Sequence, residues 1–255
     1  MSTLELSPAP GPARPSRRVL SHGLTETRLL VRNGEQLLLA LVIPVGILLL
    51  GRLAGRRFGD LDLDRLAPSV LALAVWSSAF TSVAIATGFE RRYGVLERLA
   101  PTPLGKAGLL AGKTLSAVVI VLAQLLVISG VAAALGWRAS WTWASATVSA
   151  AAVVMSVATF AALALALAGR LRAETTLGLA NLIYVVLLAG GALVMPVASY
   201  PDALQPALRL LPTAALGEGL RAGAVGQPLG WPLGVLAAWL VVSAAAAWRG
   251  FRWTS

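Results

Sequence analysis

The sequence predicts an all-α integral membrane protein with six transmembrane helices, and three observations carry that expectation. Of its 255 residues 57% are apolar and only 13% charged, with a mean hydropathy of +0.78; a soluble domain carries about 25% charge. The apolar residues fall in blocks of about 20, the length that crosses a hydrocarbon core about 30 Å thick. Tryptophans 137, 141, 143, 231, 248 and 253 sit near block ends, as an interfacial aromatic belt does. Six such spans use about half of the chain and leave no room for a separate soluble catalytic domain.

Taken in order, residues 1–22 form a Pro-, Ser- and Arg-rich stretch without an apolar run, read as a disordered cytoplasmic tail. Residues 23–36 alternate Leu24, Leu29 and Leu30 with Glu26, Arg28 and Arg32, the pattern of an amphipathic helix lying at the membrane surface. The spans follow at about 36–53 (with Pro44 and Gly46 inside), 68–89, 109–135, 143–168, 176–197 and 231–248.

Charge gives the orientation. With both termini inside, the inner segments hold 14 of the 21 basic residues and the outer segments 7, which satisfies the positive-inside rule. The first outer loop is the exception, with Arg52, Arg56, Arg57 and Arg65 around Asp60, Asp62 and Asp64. The net charge of +10 is accounted for by these membrane flanks and predicts no nucleic-acid partner. Lysine occurs only as Lys106 and Lys113 while Arg, Ala and Gly abound, which suggests a GC-rich bacterial genome, and a multi-pass protein of the bacterial cytoplasmic membrane is expected.

Several chemistries are excluded. There is no cysteine for a disulfide, thiolate or Cys-based metal site. The only histidine, His22, precedes the first span and reads as solvated, so no Ser-His or His-metal centre forms within the spans. Acids are absent from mid-span, where a proton-coupled transporter places them. The mid-span polar groups are neutral: Ser77, Ser78, Thr81, Ser82, Gln124, Thr159, Asn181 and Tyr184, suited to bonding helices together or to lining a pathway. The run from Gly108 to Thr114 mimics a phosphate-binding loop, but Ala107 stands where the first glycine belongs and the run opens a membrane helix; Lys113 is expected to snorkel at the cytoplasmic edge. The Gly108/Gly112 spacing is the kind of small-residue pair that arises by chance in such a composition.

The informative segment lies between spans two and three, residues 90–106. It alternates charges, places Tyr93, Leu96, Leu99 and Ala100 on one helical face, and breaks at Pro101 and Pro103. A short amphipathic helix held there can transmit force from a soluble partner; an ordinary solvated connector fits the same pattern.

Glu90, Arg91, Gly94, Leu96, Glu97, Leu99, Thr102 and Pro103 together resemble the signature of the ABC-2 type permeases, with departures at Arg92 and Val95. Pro212, Glu218, Leu220 and Arg221 resemble that family's outer-face segment, and Arg32-Asn33 ahead of Pro44 its N-terminal entry. The resemblance implies a six-helix transmembrane domain over 23–255 with a cytoplasmic coupling helix and short outer re-entrant helices between spans five and six. It implies the permease subunit of an ATP-driven exporter of a drug, antibiotic or lipid-like molecule. Glu90, Arg91, Tyr93, Gly94, Leu96, Glu97, Leu99, Thr102 and Pro103 would dock on a separate ABC ATPase in two copies, which would bind the ATP and Mg. No cofactor is expected on this chain. A second permease copy, identical or related, would complete a pathway in the lipid bilayer, for which Ser78, Thr81 and Asn181 are candidate lining. Two rival classes remain: a non-transporting membrane scaffold or assembly protein, and a secondary transporter.

Overall fold

The computed structural model describes residues 11–58 and 63–253, with backbone alone at 35–37, 39 and 55–58. Among the described residues all regular structure is helical. Helix α1 (Pro15–Arg32) leads into α2 (Gly34–Phe58). Helix α3 (Leu63–Trp76), a π-helical segment (Ser77–Ser82) and α4 (Val83–Arg92) form one rod, followed by the short α5 (Val95–Leu99). Then come α6 (Gly105–Ala134), α7 (Trp143–Ala168), α8 (Ala173–Gly190), a 3₁₀ turn (Val197–Ser199), α9 (Gln205–Arg209), α10 (Pro212–Ala224) and α11 (Trp231–Gly250).

Among the described residues five rods are long and apolar enough to cross a membrane: Leu63–Arg92, Gly105–Ala134, Trp143–Ala168, Ala173–Gly190 and Trp231–Gly250. The predicted first span, about 36–53, lies in α2, where the apolar stretch found among the described residues is Ala40–Ala54 and contains Pro44.

α3 sits at the centre, with every side chain from Ala67 to Trp76 buried. Trp76 stacks on Phe80 at 4.4 Å and meets Phe160 of α7 edge-on at 4.8 Å, the two favoured aromatic geometries. α10 buries ten of its thirteen residues, packing against α3 and α7. α6, α8 and α11 instead carry exposed apolar side chains, among them Leu126, Leu182, Val185 and Val241, as lipid-facing helices do.

The connections sort to two faces. One gathers α1, α5, the α7–α8 turn and the end of α11: Arg92 pairs with Glu174, the Arg252 N–H donates to the Gly169 carbonyl at 3.1 Å, and Lys106 donates to the Trp248 and Phe251 carbonyls. The other gathers the α6–α7 loop and the segments around α9 and α10, where the Ser140 N–H donates to the Ala224 carbonyl at 2.8 Å.

The structure corrects several expectations. α1 begins at Pro15, a residue suited to the first helical turn, so the predicted disordered tail over 1–22 ends inside a helix. Residues 1–10 lie outside the described ones, as do Asp60 and Asp62 and the side chains of Arg56 and Arg57 in the exceptional outer loop. α8 stops at Gly190, seven residues before the predicted 197, because Gly191 and the left-handed Ala192 turn the chain. Trp137 is buried against the core instead of standing in the aromatic belt; Trp143, 91% exposed, fits the belt. In the region where short outer helices were implied, α9 and α10 stand.

Candidate coupling site

The 90–106 segment is built by two helix stops. α4 ends at Arg92, and Gly94 takes a left-handed φ of 69°, which turns the chain into α5 at little steric cost. α5 spans only five residues; the Thr102 hydroxyl then donates back to the Leu99 carbonyl at 2.6 Å, and Pro101 and Pro103 prevent continuation. Because the helix breaks at Gly94, the predicted common face of Tyr93, Leu96, Leu99 and Ala100 does not form. Tyr93 is 67% exposed and Ala100 exposed, while Leu96 is fully buried and Leu99 half-buried.

Leu96 is the anchor. It inserts among Leu109 of α6, Leu165 and Ala247 of α7 and α11, and Phe251. Full burial of such a side chain is worth about 1.5–3 kcal/mol. Around it Tyr93, Val95, Glu97, Arg98, Pro101 and Pro103 face outward. Arg91, by contrast, is buried and donates to the Ala168 carbonyl at the end of α7 at 3.3 Å.

Behind the segment lies a charged cluster that sequence reasoning missed. Lys113 is 4% exposed, so it does not snorkel. Its ammonium lies 3.1 Å from Glu26 of α1 and 2.6 Å from Glu90 of α4. Nor is His22 solvated: its imidazole lies over Gly112, where an added Cβ would collide with it, and 3.7 Å from Glu26. Burial pushes the His22 imidazole below its ordinary value; Glu26 opposes that shift and Lys113 adds to it. Gly112 thus makes the close α1–α6 approach possible, so this half of the Gly108/Gly112 pair is a helix contact. The Thr27 hydroxyl donates to Ser116 Oγ at 3.1 Å, completing the seam. With Gly23 and Glu26 turned to α6, α1 leaves Leu20, Leu24 and Val31 exposed along a neighbouring stripe, available to a membrane surface.

The cluster borders a cavity of about 420 Å³ between α1, α4 and α6, whose polar lining includes Asn33, Ser78 and Ser82. Ser78 is also structural: it donates to Gln124 Oε1 at 2.6 Å, and Gln124 Nε2 donates to the Ala40 carbonyl of α2 at 2.7 Å. The π segment, with its four hydroxyl residues, widens the rod at this level. Thr81 has a buried hydroxyl without a hydrogen-bond partner among the described residues, and Asn181 is exposed on α8. Of the three candidate lining residues, Ser78 lines this cavity and Thr81 and Asn181 do not.

On the opposite face, Arg221 and Glu218 of α10 hold the chain that follows α8. Arg221 donates to the Leu193 carbonyl at 2.9 Å, the Ala192 carbonyl at 3.0 Å and Glu218 at 3.0 Å, and Glu218 accepts the Val197 N–H at 2.8 Å. Pro212 opens α10 in its first turn. This group is a clamp on irregular backbone whose carbonyls need partners.

A polytopic helical membrane protein results, with an anchored amphipathic segment on one face and short capping helices on the other. Residues 60–249 match the family described as ABC-2 family transporter protein, and the chain belongs to that family. No curated protein matches the chain. Membership makes it a membrane-embedded transport permease in general terms, of a kind that associates with an ABC ATPase subunit and is not generally itself catalytic.

Proposed function

We propose that the chain is the permease subunit of an ATP-driven exporter, moving a drug, antibiotic or lipid-like molecule out of the cytoplasm. ATP and Mg bind to two copies of a separate ABC ATPase, and a second permease copy, identical or related, completes the pathway. The positive-inside bias orients both termini and the 90–106 segment to the cytoplasm. The observation that carries the reading is the split character of that segment. Tyr93, Glu97 and Arg98 face outward where a soluble subunit can grip them, while Leu96 is locked among residues of α6, α7 and α11. A push on the exposed side is therefore delivered to three spans at once. The Ser78–Gln124–Ala40 chain and the Lys113 cluster then extend the load to α2 and α1.

The test is co-purification with the cognate ABC ATPase, with ATP-dependent export measured in proteoliposomes. Glu97→Ala and Gly94→Pro are expected to lower association and export together. Unchanged association and unchanged export in both variants would overturn the coupling role. Export that persists without ATP and collapses with the proton gradient would favour a secondary transporter instead.

A further inference from the structure

We propose that Arg170, Arg249 and Arg252 form a headgroup site for an anionic phospholipid, whose acyl chain lies in the apolar groove between α7, α8 and α11. The three arginines come from two places in the chain, the α7–α8 turn and the end of α11, and line one cavity of about 290 Å³ together with Gly250. No carboxylate among the described residues lines it. Among the described residues none of the three guanidiniums makes an ion pair, and Glu174, the nearest acid along the chain, is taken by Arg92. Like charges brought together repel, and an anion placed among them relieves that repulsion. Guanidinium forks match phosphate oxygens in pairs, which makes phosphate the fitting one.

The packing holds this arrangement in place. The Arg170 side chain crosses directly over Gly250, where any Cβ would collide with its guanidinium. The Arg252 N–H is tied to the Gly169 carbonyl at 3.1 Å, fixing the two segments together.

The second observation is what lies beyond the cavity. Arg170 also lines a groove of about 500 Å³ whose other walls are apolar or aromatic, including Leu163, Leu167, Ile183, Leu187 and Trp239. Trp239 Nε1 donates to the Leu210 carbonyl at 2.7 Å at the far end, so the indole presents its ring to the groove. On α7 the groove is walled by Leu163, Ala166 and Leu167, and on α8 by Ile183 and Leu187. A cationic mouth sharing Arg170 with an apolar slot has the polarity of one phospholipid, phosphate at Arg170 and one acyl chain between α7 and α8. The leaflet is the cytoplasmic one if the proposed orientation holds; the site itself stands without it.

The test uses the full-length chain in detergent, delipidated, then offered equal amounts of phosphatidylglycerol and phosphatidylcholine with bound lipid counted by native mass spectrometry. Both lipids carry the phosphate, but the choline ammonium of phosphatidylcholine is repelled by the three arginines, so wild type is expected to retain phosphatidylglycerol about tenfold over phosphatidylcholine. Arg249→Gln with Arg252→Gln should remove the preference, and Arg249→Lys with Arg252→Lys should keep most of it. Leu167→Trp, which fills the slot and leaves the arginines intact, should reduce retention of both lipids. Equal retention of the two lipids by wild type, or an unchanged preference in the Gln pair, would overturn the proposal. So would displacement of phosphatidylglycerol by inorganic phosphate alone, which would mark a bare anion site. A measurement free of variants guards against misfolding: phosphatidylglycerol brominated along its acyl chains should quench tryptophan fluorescence more than its phosphatidylcholine counterpart, and equal quenching would sink the idea.

Discussion

Replacing Lys113 with Met keeps an aliphatic stem but removes the ammonium that holds Glu26 and Glu90 together. That ammonium is 4% exposed and lies 3.1 Å and 2.6 Å from the two carboxylates. Breaking a buried ion pair by deleting one partner costs about 3–5 kcal/mol, because the remaining charge is left uncompensated. The carboxylates keep 16% and 21% of their exposure, so water recovers part of the loss and about 3 kcal/mol is the better figure. For a chain of this size each kcal/mol moves Tm by about 2–4 °C, so a fall of about 6–12 °C is expected in thermal unfolding followed by tryptophan fluorescence in one detergent. A compensated variant separates charge from packing. Glu26→Gln, Glu90→Gln and Lys113→Met together leave no ion in the cluster and should recover more than half of the loss, since replacing a whole buried ionic set is often near neutral. A single variant within about 1 °C of wild type would refute the reasoning. A triple variant no more stable than the single one would do the same, showing that the lysine stem and not its charge matters.

Two further outcomes follow from the same physics. Arg221→Met strips donors from the Leu193 and Ala192 carbonyls, each loss costing about 1–3 kcal/mol, and should speed amide exchange over residues 191–197 while leaving α7 protected; uniform exchange in the two proteins would count against the clamp. His22 is held below its ordinary value, so the unfolded chain binds more protons between the folded value and about 6.5, and stability is lost as pH falls through that window. Glu26, Glu90 and Lys113 lie against the imidazole's surroundings, so the comparison is with His22→Gln, whose unfolding should show a shallower pH dependence; parallel curves would contradict the assignment.

The helices were legible because apolar blocks of span length leave few alternatives, and α7 begins and ends at the predicted residues. What the sequence concealed arises where distant segments meet. Lys113 looked like a snorkelling cation because its partners, Glu26 and Glu90, are 87 and 23 residues away. Periodicity cannot see such a contact. The common face assigned to Tyr93 and Leu96 failed for a local reason: helical periodicity was carried across Gly94, whose left-handed backbone rotates the two side chains apart. α8 was drawn too long because hydropathy continues through Leu193 and Val194, although backbone geometry has already turned at Gly191. The hydroxyl cluster of Ser77, Ser78, Thr81 and Ser82 was visible in the sequence, but its π-helical geometry was not.

These differences bear on how the 90–106 segment would act in the proposed coupling role. Were 90–100 one continuous helix, its tilt would follow α4 alone. Instead the block is bounded by left-handed glycines at both ends, Gly94 at φ 69° and Gly105 at φ 64°, with Pro101 and Pro103 stiffening what lies between. A stiff block between two permissive joints turns as a unit, and the point it turns on is the side chain that cannot leave, Leu96. Displacement of the exposed Glu97–Arg98 side must then move Leu109, Leu165 and Phe251 with it, or expose them, at about 1.5–3 kcal/mol for each large side chain uncovered. Glu90, one turn before the first joint, stays bonded to Lys113 and so keeps α4 registered to α6 and α1 while the block moves. On the proposed coupling role, the hinge and the ion cluster would divide the labour: the first would let the segment rotate, and the second would keep that rotation from dissipating by unwinding the end of α4.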